Sequence, residues 1–328
     1  MYQHAKSLFS LGFLSLVLSV GSTAVSAEQQ VVNYGVQPST MPIYIARATG
    51  LLDEVEKKHN IEIKFHSFSY GAPENMALAA GEIDIAQAGM GPAIVASARL
   101  PAKLIAVSML EMTAMIVPTD SPIQSVADLK GKTVAFPGRG SQQYPLTLKA
   151  LDDVGLAEGD ITLFKTKGSD VPTLIMNGDV DAGVTWEPHS SIAIASGKAR
   201  VLKRAKEIMP LKNGFYLGGG VYAREEFIDQ HPEIVQDIVT AEVKAIDFIL
   251  KNPDEAARLW HEQIKTPVDV IQTSLREGLS AYSLDAVPEE ATLRKFTDWL
   301  KDAGILKPTD DVKIDASFAT KALEEVTR

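Results

Sequence analysis

The pattern of hydrophobic and polar residues predicts strands and helices in regular alternation. Short apolar or alternating runs of about 4–8 residues, typical of strands, are separated by stretches with apolar residues at helical spacing. The predicted strands cover 31–36, 61–68, 83–88, 103–110, 133–136, 161–165, 180–186 and 215–222. The predicted helices cover 42–49, 71–80, 92–98, 144–155, 172–177, 232–251, 253–265, 267–278 and 289–304. This order indicates an α/β fold with mixed, mostly parallel sheets covered by helices.

One short pattern occurs twice in the chain. Residues 81–86 are Gly-Glu-Ile-Asp-Ile-Ala, and residues 178–183 are Gly-Asp-Val-Asp-Ala-Gly. Each copy follows a short apolar stretch that opens with a proline, Pro73 or Pro172, which predicts a helix that begins at proline and ends at glycine. An aspartate then leads directly into a strand. We therefore expect two similar α/β lobes with a cleft between them.

The order of the elements predicts how the two lobes share the chain. Lobe one is expected at 28–114 and 218–328, so it is discontinuous, and lobe two, at 115–217, is inserted into it. The chain then crosses between the lobes near 112–118 and 214–222. These two crossing segments are expected to form a two-segment hinge.

The N-terminal residues 1–27 predict a secretory signal peptide. A weakly basic start precedes the apolar run 8–20 and the small residues 25–27, so we expect cleavage near Ala27 and a product in the periplasm. This run is shorter than the ~20 residues of a spanning helix, and no later segment is apolar enough, so no direct membrane insertion is expected. The chain has no cysteine, which argues against a lipid anchor, disulfides and thiolate metal sites.

Composition and motif spacing argue against several other classes of function. The chain has 42 acidic and 32 basic residues, a formal net charge of −10, which disfavours nucleic acid or anionic lipid as a partner. The histidines and acids lack metal-ligand spacing. Ser190 and Ser191 stand beside His189, but sequence neighbours do not make a nucleophile–base pair. We predict a protein that is not an enzyme, with no catalytic residue, metal or cofactor.

Several short motifs resemble one family of transport proteins. They are Ser-Pro-Ile at 121–123, Asp-Leu-Lys-Gly-Lys at 128–132, and Val-Asp-Ala at 180–182 followed by Glu-Pro at 187–188. With Gln37 after the first strand and Gly140-Ser141 ahead of a helix, they resemble the taurine, alkanesulfonate and nitrate group of ABC-transporter solute-binding proteins. The resemblance implies the two-lobed type II periplasmic binding protein fold and a monomer. It also implies a small-molecule ligand, delivered to an inner-membrane permease with its ATPase.

The carboxyl ends of the strands are the expected ligand site, because ligands of open α/β sheets bind there. Residues 139–145, Arg-Gly-Ser-Gln-Gln-Tyr-Pro, precede a helix whose N-terminal N–H groups and dipole suit an anion, although an ordinary helix start has the same appearance. The loops that follow the predicted strands are 37–41, 70–72, 89–92, 139–144 and 186–189. From these loops and the crossing segments we select as ligand-binding candidates Gln37, Ser39, Met90, Gly91, Glu111, Gly140, Ser141, Gln142, Gln143, Trp186, Glu187 and Tyr216.

Three of these candidates have a second interpretation. Trp186 offers a rigid apolar face to a ligand or is a core tryptophan. Glu187 accepts hydrogen bonds from a ligand amine or only caps the helix that follows Pro188. Glu111 is an acid in an apolar run, which indicates either a cleft position or an exposed turn.

The ligand hypothesis follows from one departure from the family pattern. Sulfonate binders of this group carry a hydroxyl residue after the strand of the first repeat, where this chain has Gly-Met-Gly-Pro at 89–92. We therefore expect a small organic anion or zwitterion such as taurine, its head at the 140–144 helix start and an amine facing Glu187 or Glu111. Met90, Trp186 and Tyr216 would pack on its apolar part. The alternatives are import of a pyrimidine-like nitrogen heterocycle, or a ligand-sensing module for a receptor.

Overall fold

The computed structural model describes Met1 and residues 29–328, and the predicted signal peptide lies outside the described residues apart from Met1. The strands are β1 Gln30–Val36, β2 Ile61–Ser67, β3 Ile85–Gly89, β4 Ala102–Met109, β5 Thr113–Pro118, β6 Thr133–Phe136, β7 Thr162–Lys165, β8 Ala182–Trp186, β9 Ala199–Arg204 and β10 Gly219–Arg224.

Helices cover both sheets. They are α1 Met41–Ala48, α2 Leu51–His59, α3 Gly71–Ala79, α4 Met90–Arg99, α5 Gln143–Asp152, α6 Val171–Asn177, α7 His189–Ala195, α8 Ala205–Ile208, α9 Glu225–Gln230, α10 Pro232–Lys251, α11 Pro253–Ile264, α12 Val268–Arg276, α13 Glu290–Asp302 and α14 Ser317–Val326. Among the described residues, no helix combines the length and the apolar character that crossing a bilayer requires.

The strands form two sheets with the same topology. The first sheet has the order β2-β1-β3-β10-β4 and the second β7-β6-β8-β5-β9. In each, the first three strands are parallel and the fourth is antiparallel to both of its neighbours. The antiparallel strand β5 lies within the predicted crossing segment 112–118, and the antiparallel strand β10 overlaps the segment 214–222. The predicted α/β fold of two mixed sheets is confirmed.

The repeated sequence pattern produces the same hydrogen bonds in both sheets. Gly81 and Gly178 have φ of 74° and 75°, in the left-handed region that glycine adopts without steric cost, and each follows the end of its helix. Asp84 then accepts the Asn33 N–H at 2.9 Å, and Asp181 accepts the Thr133 N–H at 2.8 Å. Each aspartate therefore fixes the start of its own strand, β3 or β8, to the neighbouring parallel strand.

Some predicted elements differ from the structure at their ends or in kind. The strand predicted at 215–222 begins only at Gly219, because the Leu217 and Gly218 carbonyls accept hydrogen bonds from the side chain of Gln142, which directly precedes α5. The helix predicted from residue 92 begins at Met90. Strands β5 and β9 and helices α2, α8, α9 and α14 were not predicted, although the apolar run at β5 was expected as a crossing segment.

Two large apolar clusters form the core. One fills the space between the first sheet and the helices α1, α10, α11 and α14. The other contains buried residues of both sheets and of α13, including Leu104, Val184 and Phe296. The second cluster brings residues of the two sheets into one apolar core next to the strand ends, where the candidate site lies.

Candidate functional site

Strand ends from both sheets meet at a small cavity. Gln37 follows β1, Gly89 ends β3, Trp186 ends β8, and the segment after β6 supplies the start of α5. The cavity has a volume of ≈ 10 Å³, room for about one water molecule. The residues that line it are Gln37, Tyr70, Gly71, Gly89, Pro92, Met112, Ser141, Gln142, Gln143 and Trp186. Five predicted candidates therefore meet there: Gln37, Ser141, Gln142, Gln143 and Trp186.

The wall of this cavity presents neutral polar groups. None of its ten lining residues is Lys, Arg, Asp or Glu. The start of α5 has no side-chain cap, so its first backbone N–H groups are not satisfied by a neighbouring side chain. Ser141 donates its hydroxyl to the Gly138 carbonyl at 2.7 Å. Because that bond uses the single Ser141 hydroxyl proton, an anion at this wall would be held by amide and indole donors and by the helix dipole.

Trp186 carries a donor without a partner. Its side chain is 4% exposed and packs against Met109 and Met112. Its indole Nε1–H makes no hydrogen bond to any described residue. A buried donor without an acceptor is costly, so its presence beside a cavity favours a ligand or water acceptor there. The ring packs in an apolar cluster, as a core tryptophan does, and it also lines the cavity, so its contact with a ligand stays a prediction.

The Gln37 side chain is held by a buried acid. Its Nε2 donates to Glu74 Oε2 at 2.6 Å, and Glu74 is fully buried. Burial raises the pKa of Glu74 to about 8, against the lowering effect of the Gln37 hydrogen bond. Glu74 was not among the predicted candidates. No sequence pattern distinguished it, because its close approach to Gly35, where a Cβ would lie 2.8 Å from Glu74 Oε1, exists only in the folded chain.

The two predicted carboxylates do not line the cavity. Glu111 is buried, which contradicts the exposed-turn interpretation, and its oxygens accept backbone N–H groups of Met112 at 3.2 Å, Thr113 at 3.4 Å and Lys206 at 2.9 Å. Glu187 is also buried and accepts the hydroxyls of Ser190 and Ser191. Burial raises the pKa of Glu111 to about 7 and also raises the pKa of Glu187. Both acids stabilise chain segments next to the site.

The remaining candidates lie around the cavity. Met90 and Tyr216 are fully buried in the core cluster shared by both sheets, where the Tyr216 ring lies 5.5 Å from Phe296. Ser39 is buried, and its carbonyl accepts the Met41 N–H at 2.9 Å. None of these three side chains lines the cavity. The structure therefore does not place Met90 and Tyr216 where they would pack on a ligand in the cavity.

A larger groove adjoins the cavity. It has a volume of ≈ 450 Å³ and shares Pro92 and Ser141 with the cavity wall. The candidates Gly91 and Gly140 line this groove. Its two cationic residues are already paired, Arg99 with Asp310 and Arg139 with Glu158. Most of its other lining residues, from α3, α4, α5 and α13, are apolar, so it suits the organic part of a ligand better than a charged head.

Five residues of the cavity wall were not selected from the sequence: Tyr70, Gly71, Gly89, Pro92 and Met112. Tyr70 lies just before α3, in a loop that strand order had indicated, and Met112 lies in a predicted crossing segment. Their positions were expected, but no residue pattern distinguished them from neighbours. Among the described residues, no group of three or more His, Cys, Asp or Glu side chains is arranged to hold a metal.

Comparisons with known proteins agree with this fold. The family model described as NMT1/THI5 like matches residues 37–256. A Bacillus subtilis (strain 168) protein, named provisionally as an aliphatic sulfonates-binding protein, is 29% identical over 93% of this chain and 92% of its own. The taurine-binding periplasmic protein of Escherichia coli (strain K12) is 25% identical over 81% of this chain and 78% of its own.

A solved structure has the same fold. The periplasmic aliphatic sulphonate binding protein SsuA from Escherichia coli superposes with a TM-score of 0.72 at 23% identity, over 86% of this chain and 95% of that one. The resemblance drawn from the motifs, including the type II periplasmic binding protein fold, is confirmed. The relatives are binding proteins, and the prediction that the chain is not an enzyme is confirmed as well.

Proposed function

The chain belongs to the NMT1/THI5-like family, and from this premise we propose that it is the solute-binding component of an ABC importer. It would bind a small organic anion or zwitterion, a sulfonate of the taurine kind, between two lobes and deliver it to an inner-membrane permease with its ATPase. The proposal includes export to the periplasm, action as a monomer, and the lobe boundaries 28–114 with 218–328 and 115–217. The relatives that bind sulfonates and taurine support it.

One observation carries the choice of site. Five candidates selected from loops far apart in sequence line a single cavity, and the Trp186 donor there is unpaired. We place the oxyanion head against Trp186 Nε1–H and the start of α5, and the organic part toward the adjoining groove. Because the cavity has room for about one water molecule, the ligand must enter a more open form of the molecule.

Calorimetric titration of the mature protein tests the ligand class. Taurine, a linear alkanesulfonate, nitrate and a pyrimidine are titrated in turn, and we expect binding heat with the sulfonates. Heat only with the pyrimidine would move the proposal to the import of nitrogen heterocycles. The absence of heat with both sulfonates would reject the proposed ligand class.

A single substitution tests the site. Trp186→Phe keeps the aromatic bulk and removes the indole N–H, so we expect sulfonate affinity to fall about tenfold through the loss of one hydrogen bond to a charged group. Trp260→Phe is the matched control, because Trp260 also has a buried Nε1–H without a partner among the described residues. Trp260 lies away from the cavity, in the core cluster between the first sheet and helices α1, α10, α11 and α14. Equal affinities for the two variants would remove Trp186 from the site.

A further inference from the structure

The Gln142 side chain connects the two sheets through all of its hydrogen-bonding groups. Gln142 directly precedes α5 of the second sheet and is 3% exposed. Its Oε1 accepts the Gly91 N–H at 2.6 Å. Its Nε2 donates to the carbonyls of Leu217 and Gly218, each at 3.0 Å. Both amide protons are therefore used by the protein, and none is left for a ligand.

Two of the three partners of Gln142, Gly91 and Gly218, are fixed to the first sheet, and the third, Leu217, lies in the predicted crossing segment 214–222. The Gly218 N–H donates to the Met109 carbonyl at 2.9 Å, and the Gly218 carbonyl also accepts the Met90 N–H at 3.2 Å. Gly91 lies in the first turn of α4, directly after β3. The Gln142 amide therefore joins the start of α5 directly to the backbone of the first sheet and its crossing segment.

The approach of Gln142 depends on a glycine in the facing strand. A Cβ at Gly89 would lie 2.8 Å from Gln142 Cβ and 3.2 Å from its Cδ. Any larger residue at 89 would therefore hold the two sheets apart. The glycine at 89 and the glutamine at 142 fit each other across the cleft.

From this geometry we infer that Gln142 is a latch between the lobes, which closes the cleft without ligand and competes with the ligand for the Gly91 N–H. With the latch closed, the remaining cavity of ≈ 10 Å³ holds about one water molecule, so a ligand of several heavy atoms and the latch cannot occupy the cleft together. Molecules with the latch closed cannot bind the ligand. The apparent affinity is therefore the intrinsic affinity multiplied by the fraction of molecules with the latch open. The competition with ligand rests on the proposed function, but the closure does not.

The first test needs no ligand. In small-angle scattering of the ligand-free protein, Gln142→Ala is expected to increase the radius of gyration, because the three hydrogen bonds that hold the cleft closed are lost. The matched control is Gln143→Ala, which removes the same atoms from the same cavity wall but breaks only the bond to Thr113 Oγ1 of β5, in the second sheet itself. Gln143→Ala is expected to keep the wild-type radius.

Hydrogen exchange at two neighbouring amides reports the same event. The Gly91 N–H should exchange at least about tenfold faster in Gln142→Ala, since its acceptor is gone. The Met90 N–H, bonded to Gly218, serves as an internal reference and should change less. Wild-type values for both the radius and the Gly91 exchange rate would overturn the latch.

A variant on the opposite side keeps the test decisive if Gln142→Ala does not fold. Gly89→Ala places a methyl group against Gln142 and should also increase the ligand-free radius.

The competition is tested by affinity: the dissociation constant of Gln142→Ala for a sulfonate should fall about tenfold. Weaker binding would instead make Gln142 a ligand contact and overturn the competition. If no variant binds a sulfonate, the proposed function fails, while the ligand-free scattering still decides the latch.

Discussion

At the scale of single residues, two carboxyl groups are buried against the first sheet, and neither forms an ion pair with a described residue. Glu242 accepts a hydrogen bond from the Tyr34 hydroxyl, and Glu74 accepts one from Gln37. Burial raises the pKa of each to about 8, against an ordinary value of 4.5. The folded protein therefore binds these protons more tightly than the unfolded chain does. Their stabilisation is complete below about pH 4.5 and is lost as the pH rises through about 8.

Replacement of Glu242 by glutamine should remove its share of this pH dependence. Gln is neutral at every pH, and its Oε1 still accepts the Tyr34 hydroxyl. Between pH 5.5 and 7.5, the free energy of unfolding should fall less steeply with pH in Glu242→Gln than in the wild type. The two slopes should differ by about 1.4 kcal/mol per pH unit. Urea unfolding at three pH values measures this slope. Glu233→Gln, exposed on the same helix, should keep the wild-type slope; parallel curves for wild type and Glu242→Gln would contradict the prediction.

The sequence predicted where the site lies better than which side chains face it. Gln37, Trp186 and the start of α5 follow from strand order and helix signals, because both are local patterns. Met90 and Tyr216 were expected at the ligand but are core residues, since a strand-end loop does not show which side chain turns toward the cleft. The acceptor role of Glu111 depends on Lys206, 95 residues away in the chain, and no local pattern contains that information.

At the scale of elements, the repeated aspartate performs the same task in two different environments. The Asp84 side chain is 10% exposed and also pairs with Arg224 at 2.7 Å. The Asp181 side chain is 40% exposed, and its nearest cation, Lys132, is 3.7 Å away. Both accept one backbone N–H from the neighbouring strand, so the difference between them is burial and the strength of the ion pair.

Alanine substitution should separate these two contributions. Asp84→Ala leaves a partly buried N–H and a partly buried arginine without their acceptor, and we expect a loss of about 3 kcal/mol in the free energy of unfolding. Asp181→Ala should cost about 1 kcal/mol, because water can replace the carboxylate at an exposed site. Each variant is the control for the other in denaturant unfolding. Equal losses would mean that the backbone bond alone determines the cost.

Strand β9 was missed from the sequence because its apolar signal is weak. Strand β9, Ala-Arg-Val-Leu-Lys-Arg, lies at the edge of the second sheet and is partly exposed along most of its length. An edge strand needs few apolar residues and carries charges, so its sequence resembles a polar loop. The inner strands β3 and β8 are buried along their whole length, and their continuous apolar runs made them predictable.

At the scale of the whole molecule, the approach of the two sheets depends on a close contact at the cleft mouth. A Cβ at Gly140 would lie 2.5 Å from Ala72 Cβ, nearer than two carbon atoms can pack. Gly140→Val should therefore hold the sheets apart and increase the radius of gyration in small-angle scattering, with or without taurine. Gly159→Val is the control, because a Cβ there meets no atom within 4 Å. If both variants match the wild type, Gly140 does not limit the approach.

The cavity wall without ionic side chains has a consequence for the media in which the protein can work. Dissolved electrolyte weakens the attraction between full charges over a Debye length of about 8 Å at 0.15 M, but it hardly affects hydrogen bonds from neutral donors at contact distance. A protein outside the cytoplasm meets whatever ion concentration its surroundings hold. A sulfonate held by amides, an indole and a helix dipole would therefore be captured with similar affinity in dilute and in brackish water, where an arginine-lined pocket would lose affinity as the electrolyte rose.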